Sequence, residues 1–162
     1  MVWLIELIVL FGLFTLMVVL PILRNPLSMV HDYPPDIYRK AMELGLVKPS
    51  QTRGSRTFLV KRTVAVALIG VIFGLLVRYA NGADDFLAGA GYTYLLWTAA
   101  NWYDALVIDC LWFCRSRRVV IPGTEGMAGY KDYWFHIKGA FKGMLLGVPS
   151  ALVAGLMVAL LR

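Results

Sequence analysis

The chain has 162 residues, of which 59% are hydrophobic and only 16% charged, and its mean hydropathy is +0.68. That balance excludes an ordinary soluble domain and points to an all-α membrane protein built as one compact unit. The formal charge of +6 would suit a nucleic-acid binder in a soluble chain. Here the basic residues flank apolar stretches, as membrane topology requires, so no nucleic-acid partner is expected.

Crossing about 30 Å of hydrocarbon takes about 20 mostly apolar residues. Four stretches qualify, approximately 2–23, 58–79, 86–114 and 139–161. They predict a polytopic four-helix transmembrane bundle forming a single domain over 1–162, with loops at 24–57 and 115–138. The first stretch carries Glu6 instead of a basic leader and ends in Pro21-Ile22-Leu23-Arg24 instead of small residues. It reads as a retained helix, not a cleaved signal.

The basic residues fix an expected orientation. Fourteen of them, from Arg24 to Arg62 and from Arg115 to Lys142, lie in or beside the two loops, against only Arg78 and Arg162 on the other side. Basic loops stay in the cytoplasm, so both termini are expected outside, in a membrane of the bacterial cytoplasmic kind. The same charges attract anionic headgroups, which makes the bilayer the first partner.

Within the first loop, the run from Asp36 to Leu44 puts Ile37, Ala41 and Leu44 on one helical face. Asp36 suits its start and Gly45 its stop, predicting a short cytoplasmic helix that lies at the membrane interface or docks beneath the bundle. Lys48 to Arg56 reads as a flexible basic connector.

The third stretch holds Asn101, Asp104 and Asp109 at membrane depth. An ionised Asp there costs about 2.5 to 3.5 kcal/mol even on the lenient insertion scale, so the polar stripe must face protein or water. At about 100° per residue, Tyr94, Thr98, Asn101, Asp104, Ala105, Asp109 and Trp112 share a sector of about 140°. Ahead of the fourth stretch, Asp132 and His136 stand one turn apart, and Glu125 sits in a Gly-flanked turn that can fold back beneath the helices. These six residues, Asn101, Asp104, Asp109, Glu125, Asp132 and His136, form the expected polar site. Tyr130, Tyr133 and Trp134 read as interfacial anchors.

In the fourth stretch Gly139, Gly143, Gly147, Ala151, Gly155 and Ala159 recur every four residues, with Gly70 and Gly74 as a shorter counterpart in the second. Small residues at this spacing let backbones approach closely. Two occupants suit such a groove: another helix of the same chain, or a second copy or partner subunit. Cys110 and Cys114 read as small apolar filler, since neither spacing nor compartment suits a zinc site or a disulfide.

No Walker loop, paired CxxC, HExxH or GxSxG occurs, and nothing names a cofactor or a metal. Three classes of function fit. The first is an accessory or oligomerising membrane subunit with a carboxylate-lined interior. The second is a proton- or ion-coupled transport component, and the third is a membrane-interface enzyme acting on a lipid or lipid-linked substrate.

Overall fold

The computed structural model describes residues 2–47 and 56–161, so most of the connector expected from Lys48 to Arg56 lies outside the described residues. All the regular structure among them is helical. Five α-helices follow in chain order: α1 (Val2–Arg24), α2 (Pro35–Glu43), α3 (Arg56–Tyr79), α4 (Phe86–Tyr103) and α5 (Tyr133–Leu160). Three segments are long and apolar enough to cross a membrane, Trp3–Arg24, Arg56–Tyr79 and Tyr133–Leu160.

The stretch expected as the third span divides. Asp85 caps α4 by accepting from the Ala88 N–H at 2.8 Å. Regular α-bonding ends at Tyr103, and a π-helix then carries the chain from Asp104 to Trp112 with helical backbone at both junctions. α5 starts earlier than hydropathy alone suggests, because Asp132 caps it by accepting from the Phe135 N–H at 2.9 Å.

α5 is the axis of the packing, with α4 along one side and α3 along another. Its small residues make this possible. A Cβ added to Gly147 would strike the Trp97 indole, and one added to Gly155 would come within 2.8 Å of the Phe86 carbonyl. From α3, a Cβ on Gly70 would lie 2.7 Å from the Ser150 carbonyl, and one on Gly74 would lie 3.1 Å from the Ala154 Cα. The Ser150 hydroxyl donates to the Val66 carbonyl at 2.8 Å, fastening the same contact. Ala151 is buried with them. At Gly143, Gly147 and Gly155 the groove along α5 is therefore filled by α4, while Gly139 and Ala159 at its ends are exposed.

α1 leans on α4 through few contacts. Phe11 stacks on Tyr103 at 4.3 Å and Trp3 tilts against Tyr92 at 5.0 Å. Thr15 gives its hydroxyl hydrogen to the Phe11 carbonyl, so Tyr103 must donate the 2.8 Å bond that joins the two hydroxyls. Glu6 accepts from Asn81 at 3.0 Å, placing the start of α1 beside the α3–α4 turn. That end is closed by Phe73, Val77, Ala83, Leu96 and Val158.

A second core closes the opposite, basic end. Ile22, Tyr33, Ile37, Ala41, Phe113, Cys114, Val119, Ile121 and Tyr130 pack together there. Ile37 and Ala41 are fully buried, so α2 docks beneath the long helices instead of spreading on a surface, while Leu44 stays exposed. Gly45 ends the helix with φ +70, a conformation that favours glycine.

Tyr130 belongs to this core and is not an interfacial anchor; only Tyr133 and Trp134 are exposed. Its hydroxyl accepts from the Ile121 N–H at 2.9 Å and donates to Thr124 at 2.6 Å, because the Thr124 hydrogen is committed to the Ile121 carbonyl. Burial raises the Tyr130 phenol above its usual range, which keeps it a donor.

Replacing Gly147 with Leu should drive α4 away from α5 and destabilise the protein by about 1 to 3 kcal/mol. Gly91→Leu, at a position where a Cβ meets nothing, should stay within about 0.5 kcal/mol of the parent. Melting of both variants in detergent checks the contrast, and equal melting would mean that the ridge bears no packing.

Candidate functional site

Between the long helices and the basic-end core lies an open cavity of about 560 Å³. Phe14, Val18 and Ile22 of α1 form an apolar wall. The turn from Met29 to Tyr33, Arg62 of α3, the α4 and π-helix residues Asn101, Asp104 and Asp109, and α5 from Phe135 to Leu146 supply the rest. Tyr33 stiffens its base by donating to the Val119 carbonyl at 2.9 Å. Burial, then the neighbouring Tyr130, pushes the Tyr33 phenol far above its usual range, so it remains a neutral donor.

The π-helix determines which side chains face this space. In an α-helix residues five apart diverge by about 140°, whereas i to i+5 bonding brings them back to one side of the helix. Asp104 and Asp109 are five apart, and both line the cavity. The exposed side chains of the same segment are Leu106, Val107 and Leu111.

Asp109 Oδ2 lies 2.8 Å from His136 Nδ1. A carboxylate at Nδ1 fixes the proton on that nitrogen and leaves Nε2 with the lone pair in the neutral ring. Phe113 and Phe135 pin the imidazole from two sides, each ring 5.2 Å away. His136 is only 5% exposed, and its Nε2 has no hydrogen-bond partner among the described residues. Such an imidazole can take up a proton, return it or ligate a cation.

Deeper along α5, Asn101 donates to the Ala140 carbonyl and Trp97 to the Gly143 carbonyl, both at 2.9 Å. Gly143 is what admits the Asn101 amide, for a Cβ there would overlap it. Gly139 faces open space and lines the cavity.

Of the six residues expected at the site, Asn101, Asp104, Asp109 and His136 line the cavity, and Glu125 and Asp132 do not. Glu125 is exposed and accepts from the Gly123 N–H at 3.0 and 2.9 Å, closing a tight turn in which Gly123 has φ +86. Bonds from its own backbone N–H and from that of Gly123 hold its carboxyl below the usual range. Asp132 is spent on capping α5.

Arg62, Lys138 and Lys142 are further wall residues, hidden in the sequence because their positions are equally well explained by topology. His31 and Asp32, 3.1 Å apart, also line the cavity. Their only sequence signal was an adjacent acid and imidazole just ahead of a Tyr-Pro-Pro turn. Among the described residues no three His, Cys, Asp or Glu side chains cluster closely enough to hold a metal ion.

No family model, curated protein or solved structure matches this chain.

The Asn101 seat can be tested by a double-mutant cycle. Gly143→Ala evicts the amide and should cost about 1 to 3 kcal/mol, as should Asn101→Ala. The pair combined should lose clearly less than the sum, since either change already breaks the bond. Additive losses in detergent melting would mean that the two residues act apart.

Proposed function

We propose that the chain is an integral membrane protein that acts at the bilayer surface on the headgroup of a lipid or lipid-linked substrate, with Asp109 and His136 as its acid–base pair. The observation that carries the reading is the 2.8 Å Asp109–His136 contact on the wall of a cavity, with Nε2 buried and unpartnered among the described residues. A carboxylate that orients an imidazole is a recurrent way to poise a ring nitrogen for proton transfer. The cavity joins polar groups to an apolar wall on α1, the combination an amphiphile needs.

In this reading α4 and its π-helical continuation form the third of four spans. Their outward Leu87, Leu95, Leu106, Val107 and Leu111 are exposed and apolar, as a lipid-facing surface should be. The basic end, with its α2 core, faces the cytoplasm, and both termini lie outside.

Two observations favour this function over the alternatives. A transport route needs a polar path to the far end, and there the helices meet on Phe73, Val77, Leu96 and Val158. An accessory or oligomerising subunit drew its support from the small-residue groove, which α4 occupies at Gly143, Gly147 and Gly155.

Asp109→Asn and His136→Gln should each keep the parent's melting in detergent to within about 2 kcal/mol, yet reproduce the phenotype of deleting the protein. Loss of the fold in both, or full complementation by both, would end the functional reading. For orientation, single cysteines at Glu125 and at Asp84, both exposed, in a background lacking Cys110 and Cys114, should react with an impermeant reagent only at position 84 in sealed cells. Reaction at position 125 would invert the topology.

A further inference from the structure

Resting on the headgroup reading above, we infer that the substrate is a zwitterionic phospholipid whose primary ammonium meets Asp104 and whose phosphate meets Arg62 and Lys142. The walls carry both signs, three carboxylates (Asp32, Asp104, Asp109) and three permanent cations (Arg62, Lys138, Lys142). A purely anionic headgroup would bring its charge against Asp104. A purely cationic one would leave the three cations without a counter-charge.

The two signs also differ in exposure. Asp104 Oδ1 is fully buried and has no hydrogen-bond partner among the described residues, whereas Arg62, Lys138 and Lys142 are exposed. Asp109 is already engaged by His136, and Asp32 is solvent-exposed and paired with His31, so Asp104 is the buried carboxylate with acceptor capacity to spare. Lys138 extends over the Trp134 ring at 5.5 Å, which leaves Arg62 and Lys142 for a phosphate.

The geometry selects a primary ammonium over a quaternary one. A buried carboxylate oxygen without a partner is satisfied only by a group that donates a hydrogen bond, and a primary ammonium offers three donors where a trimethylammonium offers none. Quaternary groups are recognised instead by several aromatic faces. Of the four aromatic rings that line the cavity, Phe113 and Phe135 are spent on His136 and Tyr33 packs edge-on against Phe113 and Tyr130, which leaves Phe14 alone. The acyl side is supplied by Phe14, Val18 and Leu146. A volume of about 560 Å³ suits a headgroup and the first carbons of its chains.

The chain has only two histidines, His31 and His136, and both line the cavity, so ¹⁵N-histidine labelling of the full chain in detergent reports on the site alone. Dihexanoyl-phosphatidylethanolamine should shift the imidazole resonances with an apparent Kd at least about tenfold below that of the phosphatidylcholine or phosphatidylglycerol analogue, the scale of leaving a buried acceptor unpaired. Asp104→Asn should abolish the preference for ethanolamine over choline. Arg62→Gln, at an exposed position that carries little folding risk, should weaken all three lipids alike.

If phosphatidylglycerol or phosphatidylcholine binds as tightly as phosphatidylethanolamine, the headgroup assignment falls while the interfacial site stands. Soluble O-phosphoethanolamine shifting the histidines as strongly as the lipid would overturn a lipid source. If no probe moves either histidine, the site reading falls and this inference falls with it.

Discussion

Everything in this molecule depends on how closely two other helices can approach the backbone of α5. Apolar side chains gain little by leaving lipid for one another, so contact between long apolar helices depends on dispersion and on local hydrogen bonds. Both need short distances. Gly147 and Gly155 supply them toward α4, and Ser150 and Ala154 supply them toward Gly70 and Gly74 of α3. The polar chemistry follows from this apolar geometry, because the same approach that seats Trp97 and Asn101 on α5 carbonyls sets Asp109 against His136.

The π-helix is the second element on which the site depends. A regular α-helix would set Asp104 and Asp109 at the two edges of a stripe about 140° wide. Wider winding brings both to the cavity and leaves Leu106, Val107 and Leu111 outside. The segment thereby exchanges α-helical regularity for an arrangement in which no carboxylate faces the exterior. π-Helical bulges occur often at functional sites, and here the reason is visible in the side chains that the winding groups.

Much of this was legible in the sequence, for physical reasons. An Asp in an apolar run must face inward, and a four-residue repeat of small side chains must meet a backbone, so Asp104, Asp109 and Gly147 announced their surroundings. The neighbourhood of His136 followed from the short connection between the third and fourth stretches. Glu125 and Asp132 lie outside the cavity, and sequence does not separate a carboxylate that bonds its own turn or caps a helix from one that faces a cavity. Arg62 and Lys142 were missed for the converse reason: a cation beside a span is explained by topology before any ligand is considered. The π-helix left no signal, since the periodicity argument assumes 3.6 residues per turn throughout.

α1 invites a different kind of consequence. None of its most apolar stretch is buried, and above Ile22 it is held by a few ring contacts, the partly buried Leu7, Leu10 and Val18, the Thr15–Tyr103 bond and the Glu6–Asn81 bond. Yet Phe14 and Val18 on this helix are one wall of the cavity. A helix so lightly tied takes its tilt from the thickness of the hydrocarbon around it at a cost of fractions of a kcal/mol per Å. The distance from Phe14 to Asp104 is therefore a property of chain and bilayer together, and a change in acyl-chain length would resize the cavity without altering a single residue.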